Sequence, residues 1–338
     1  MTHENIISDF IKESRFEEAL SHIENECGNE NPAEALALKG EILETTGRLR
    51  EAGECFREAH RLCPENPEYL YWVCEIYLMM YDSDGAIEAC TKGKQLFPAD
   101  DRFLMVEADA WLWKISVHNL QGTEKEEALA HSRRILNESI AAAPDDGEIR
   151  AVEATWYVQK KDFDKCLQSF EAAQQLGLEL YVDYIDTGLC LSILNLNAGN
   201  REKALHHIEK SLERYLNWNE PHYQRLMLFY EHLLLLREVY FGIKVTTKDL
   251  ETVSAGYEFY MNRGLRVHRV TRDVRNALSS FIKAREEGRN EDAFKHLEEA
   301  ESILKVHLPL CIIFNSIKKL SLMDIIEKLK LTVYKGEK

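Results

Sequence analysis

Apolar residues recur at helical spacing through the first 219 residues. Ala52, Phe56 and Ala59 fall at i, i+4 and i+7, so they share one face of a helix. The arrangement returns one period later. Ala52 is matched by Ala86, Phe56 by Cys90, Leu62 by Leu96 and Pro64 by Pro98, each pair 34 residues apart. Each proline closes a helical run that it cannot continue, because it has no N–H and its ring clashes with the preceding turn. Gly47 stands where a left-handed residue would end the first helix of such a unit. A helix-turn-helix repeat of this length cannot bury its apolar face alone and stacks on its neighbours.

Carried outward, the period predicts six units: Met1–Pro32, Ala33–Asn66, Pro67–Asp100, Asp101–Asp146, Gly147–Glu179 and Leu180–Asn219. The fourth is 12 residues longer than the period, which predicts longer helices on either side of Gly122. Beyond residue 219 the pattern diverges. A helix is predicted over Pro221–Phe241, a break at GIKVTT (242–247), and a helix over Lys248–Asn262 capped by Thr247. A hairpin of Leu265–Glu287 and Asn290–Lys305 follows, then a terminal helix after Pro309. No interior strand is predicted.

The stretch Ala33–Asn66 resembles the tetratricopeptide repeat. Gly40, Leu43, Gly47, Ala52, Phe56, Ala59 and Pro64 match the family's pattern, and Leu36 stands at the first signature position, where Trp is usual. The resemblance implies an all-α, right-handed α-α superhelix (a tetratricopeptide-like solenoid) with diverged C-terminal helices. It also implies a non-catalytic protein- or peptide-binding scaffold whose concave groove is lined by the first helix of each unit. At the implied lining places stand an acidic row and an apolar, aromatic row. The acids include Glu34, Glu41, Glu44, Glu68, Glu75 and Asp109. Beside them lie Tyr71, Leu78, Met79, Met105, Leu112 and Trp113. Glu41, Tyr71, Glu75, Met79, Asp109 and Trp113 are the candidate groove residues, for a protein or peptide partner with basic and apolar groups. The carboxylate clamp of chaperone-binding members is not expected, since only Arg102 among the matching places is basic.

Composition narrows the function classes. The net charge of −16 disfavours nucleic-acid binding, which depends on Lys and Arg neutralising phosphates. Yet Arg263–Lys338 carries 16 basic and 11 acidic residues. Arg263, Arg266, Arg269, Arg272 and Arg275 recur every third residue, so Arg266, Arg269 and Arg272 are candidate anion contacts. Binding of RNA or phosphate along that ridge is one alternative function. A regulator that senses a peptide or small ligand and acts through its C-terminal helices is another.

The 8 cysteines form no CxxC pair, which predicts reduced core thiols and a cytoplasmic setting. The N-terminus has no secretory pattern, and Leu226–Phe241 is too charged to span a bilayer. No phosphate loop, HExxH or GxSxG occurs, so neither catalysis nor a cofactor or metal is expected. The terminal helix is apolar on more than one face, through residues such as Leu310, Ile313, Ile317, Ile325, Ile326 and Leu329. It is expected to dock on the last hairpin or to form a homodimer seam.

Overall fold

The computed structural model describes residues 3–13, 15–27, 31–178, 180–181, 185–216, 227–251, 269–306 and 320–335. Helices dominate them, as the all-α solenoid reading requires. The described residues fall into two compact units, one within Met1–Gln159 and one within Lys160–Lys338.

In the first unit, α1 (His3–Lys12) and α2 (Phe16–His22) are followed by a π-helical turn, Ile23–Cys27. Then come α3 (Pro32–Thr45), α4 (Leu49–Leu62), α5 (Pro67–Met79), α6 (Ser83–Leu96), α7 (Arg102–Val117), α8 (Gly122–Ala142) and α9 (Gly147–Lys160). Local chemistry sets the starts. Asn31 and Asn66 cap α3 and α5 by accepting from the backbone N–H of Glu34 and Glu68, with Pro32 and Pro67 at the first helical positions. Proline is tolerated there because its missing N–H would have no helical partner. Asp82 caps α6 through Gly85 N–H.

The turns share one device. Gly47, Tyr81 and Asn119 end α3, α5 and α7 in the left-handed region, with φ of 73°, 62° and 49°. Gly47 adopts it freely. Tyr81, one period later, does so at a cost of about 1–2 kcal/mol. Its ring sits 5.5 Å from that of Trp113 on α7, a contact that offsets the strain. The extra length of the fourth unit goes largely into α8, which runs for 21 residues against 14 for α6.

Small residues let the helices close on large ones. Ala19, Ala52, Ala59 and Ala86 are fully buried, as is Phe56, which stacks on Trp72 at 5.5 Å. A Cβ added at Gly93 would run into the Phe103 ring, so α6 meets α7 through a glycine.

The second unit holds α10 (Phe163–Gln175), α11 (Thr187–Asn197), α12 (Arg201–Leu216) and α13 (Met227–Phe241). It continues with α14 (Arg269–Glu286), α15 (Asn290–Val306) and α16 (Leu322–Lys335). No strand is expected from the periodicity, yet Leu180–Tyr181 pairs antiparallel with Ile185–Asp186. Two residues a side carry no alternating pattern by which sequence could reveal them. Helix α16 packs on α13 and α15. It buries Ile325, Ile326 and Leu329, and Lys330 bonds Glu301 at 2.8 Å. That is the docked arrangement; Leu310, Ile313 and Ile317 lie outside the described residues, and Leu331 remains 60% exposed.

Candidate functional site

The candidate groove residues come from α3, α5 and α7, all in the first unit. Glu41, Glu75 and Asp109 occupy one register position, each a period from the next. One turn further along their helices stand Thr45, Met79 and Trp113. The 34-residue period therefore builds a carboxyl ladder beside an apolar one.

The ladder sinks along its length. Glu41 is solvent-accessible, although protein around it and the nearby Glu68 carboxylate raise its carboxyl pKa. Glu75 is only 5% exposed and Asp109 is fully buried. Burial pushes Glu75 up to about 8, assisted by Asp109 and Glu148 and opposed by its hydrogen bond with Tyr71. Near neutral pH Glu75 thus holds a proton, and the face carries less charge than the sequence suggests. Burial, with Glu75 and Glu148 nearby, also raises the Tyr71 phenol.

Around the ladder the predicted lining divides. Tyr71 and Met79 are half-buried and reach the surface. Trp113 is 9% exposed, with Tyr81 against it. Leu78, Met105 and Leu112 belong to the core instead. Their places face the adjacent helices rather than solvent, a distinction that period alone does not make.

One contact was not foreseen. Arg102 opens α7, and its guanidinium lies 4.5 Å over the centre of the Tyr71 ring. It also bonds Glu68 at 2.8 Å and Asp100 at 2.8 Å. The signal was in the register: Glu34, Glu68, Arg102 and Glu148 are equivalent places, and the arginine breaks an acidic row.

Residues 33–66, which hold Glu41 and the Gly40–Phe56 packing, match the tetratricopeptide repeat family model. The chain thus carries a tetratricopeptide repeat within an all-helical repeat fold. A thermophilic tetratricopeptide-repeat protein of Thermus thermophilus is 22% identical over 60% of this chain and 100% of its own, with a TM-score of 0.50. A tetratricopeptide-repeat protein from Parabacteroides merdae is 14% identical over 96% of this chain and 97% of its own, with a TM-score of 0.46. The Thermus likeness is one of fold. No curated protein matches the sequence.

The C-terminal arginines do not form one solvated ridge. Arg275 is 4% exposed and pairs with the buried Glu231 of α13, Nε to Oε1 at 3.3 Å. Arg272 pairs with Asp273 at 3.2 Å. Arg269 opens α14, and Arg266 lies outside the described residues. A three-residue spacing turns each successive arginine further round the helix, so one of them reaches the buried side. Burial dominates Glu231 and pushes its carboxyl up to about 8, against the pull of Arg275.

Among the described residues no group of His, Cys, Asp and Glu could hold a metal. None of the described helices is long and apolar enough to cross a membrane. Glu202 and His206, one turn apart on α12, have no third ligand among the described residues. His207 is mostly buried instead, which lowers its pKa to about 4.

Proposed function

We propose that the α3–α5–α7 face binds a peptide segment of a partner protein, one that offers both a basic and an apolar group. The seat of Arg102 carries this reading. Within the chain, one guanidinium already rests on an aromatic ring, Tyr71, and is held by a carboxylate, Glu68. A guanidinium over an aromatic face is attractive by about 0.5–2 kcal/mol, more when water is excluded. Glu41 is an accessible acid on the same face, and Met79 supplies a soft, adaptable apolar surface beside it. Glu75 and Asp109 act from below. Glu75 holds Tyr71 through a hydrogen bond, and the two acids set the local field rather than touching a partner directly.

A peptide array of basic–apolar sequences tests the reading, with affinities measured for wild type, Glu41→Lys, Tyr71→Ala and Met79→Ala. Each substitution is expected to weaken the best binders about tenfold, roughly 1.4 kcal/mol. Unaltered affinity in all three variants, with helical content retained, refutes this face as the binding surface.

A further inference from the structure

The first unit has a second concave feature, on other residues. A pocket of about 360 Å³ opens between α2, α3 and α4. Ligand sites commonly span about 300–1,000 Å³, so this one suits a single ring with a short substituent. Its apolar wall is Leu20, Leu36, Leu43 and Cys55. The π-helical turn places Glu24 at its edge, and turns of this kind occur frequently at functional sites.

The next repeat shows why the space is open. One period later, Leu43 becomes Tyr77 and Glu51 becomes Gly85. A Cβ added at Gly85 would stand 2.9 Å from Tyr77 Cδ1, so there the tyrosine ring packs directly over a glycine. The Arg57 guanidinium approaches that ring at 6.0 Å. In the second repeat the ring is replaced by the shorter Leu43, and Glu51 takes the glycine's place. The volume that an aromatic ring fills in one repeat is left open in the other, and a carboxylate stands at its edge.

The charges around the pocket select the substituent. Lys39 is held by Glu24 at 2.5 Å. Arg48 is held by Glu51 at 2.5 Å and approaches Glu17 at 3.7 Å. Glu54 adds a fourth carboxylate against these two cations. An anion would have to break both ion pairs, whereas a cation meets the excess of negative charge.

We propose that this pocket binds an aromatic ring bearing an ammonium group: the ring lies against Leu20, Leu36 and Leu43, and the ammonium lies among Glu17, Glu51 and Glu54. Two sources present this chemistry, a free arylalkylamine and a peptide whose first residue is aromatic.

Cys55 is a built-in reporter. Burial raises its thiol pKa, so alkylation is slow; it is followed at pH 7, where the ligands' amines stay protonated, with excess reagent and long incubation, by mass spectrometry of the Cys55 peptide. Tryptamine, a peptide beginning with Trp, its N-acetylated form and indole-3-acetate are titrated into the full-length protein. Calorimetry is run alongside. Tryptamine, the free-amine peptide or both should bind and slow Cys55 alkylation at least fivefold, while the acetylated peptide and indole-3-acetate should not. Binding of tryptamine alone identifies a small-molecule site; binding of the peptide alone identifies an N-terminus site. Both results support the proposal. The double variant Leu43→Tyr with Glu51→Gly copies the next repeat's filling and should abolish binding. Glu17→Lys with Glu54→Lys, two surface changes, should weaken it at least tenfold and keeps the test decisive if the first variant does not fold. The proposal is overturned if neither ammonium ligand binds below millimolar concentration, if indole-3-acetate binds as well, or if the charge-reversed variant binds normally.

Discussion

Gly40 lies directly under the ring of Phe56, and a Cβ added to the glycine would stand 2.8 Å from Phe56 Cζ. The glycine of α3 and the phenylalanine of α4 are thus one packing unit. Gly40→Ala is expected to destabilise the first unit by about 1–3 kcal/mol through overpacking. Phe56→Ala, which removes a fully buried ring, should cost roughly 3–5 kcal/mol. Combined with Phe56→Leu, Gly40→Ala should cost less than the sum of the single changes, because the smaller side chain makes room for the methyl. Denaturant unfolding of the single and double variants beside wild type checks this non-additivity. Repeat arrays do not always unfold in one step, so the Trp72 environment, stacked on Phe56, is the local probe.

The buried pair of Arg275 and Glu231 gives the second expectation. Removing Arg275 leaves the protonated Glu231 carboxyl buried without its polar partner. At neutral pH Arg275→Met is expected to destabilise the second unit by about 1–3 kcal/mol, whereas Arg275→Met together with Glu231→Leu should recover most of that loss. Thermal unfolding of the single and double variants measures it. A double variant as unstable as the single one would mean that the pair adds more than the satisfaction of two buried polar groups.

Glu75 makes stability fall as pH rises. Its carboxyl titrates at about 8 in the folded protein, against an ordinary 4.5. Between those values the folded state holds a proton that the unfolded state has released, so the contribution is complete below about 4.5 and is lost by about 8. Glu231, also raised to about 8, titrates in the same window. The comparison is therefore between wild type and Glu75→Gln: their stability difference should shift in the variant's favour from pH 5 to pH 8. A difference that stays constant over that range contradicts a protonated Glu75.

His232 acts at the other end of the scale. It is 3% exposed on α13, and its Nε2 lies 2.9 Å from the Leu320 carbonyl oxygen, to which it donates. Burial lowers its pKa from 6.5 to about 4, although the Leu320 carbonyl and Asp324 oppose the shift. The folded protein keeps the ring neutral while the unfolded chain takes up a proton below about 6.5. Its contribution is therefore present above that pH and falls away towards pH 4. Acid should loosen α16 from α13, since this hydrogen bond joins α13 to the residues just before α16. Amide hydrogen exchange in Leu322–Lys335, compared at pH 7 and pH 5 after correction for intrinsic rates, reads this opening. The His232→Gln variant should lose the pH dependence of that exchange.

The repeat is legible in residue spacing alone. The 34-residue spacing of Ala52 with Ala86 and of Pro64 with Pro98 requires stacked helical hairpins whatever the partner. Backbone and packing demands at those places are local and recur in each unit, so they leave a periodic trace. The same period also put Glu41, Glu75 and Asp109 on one line. Their depth was not legible, because period fixes the face of a helix and not how far the neighbouring helix covers it. Glu41 reaches solvent while Asp109, its equivalent two units later, is fully buried. Likewise, a three-residue spacing of arginines read as a surface ridge, and only the position of Glu231 on α13 drew Arg275 into the core. Tertiary structure decided these charges because the cost of a carboxylate or guanidinium depends on the dielectric and partners supplied by other helices, and no single segment encodes those.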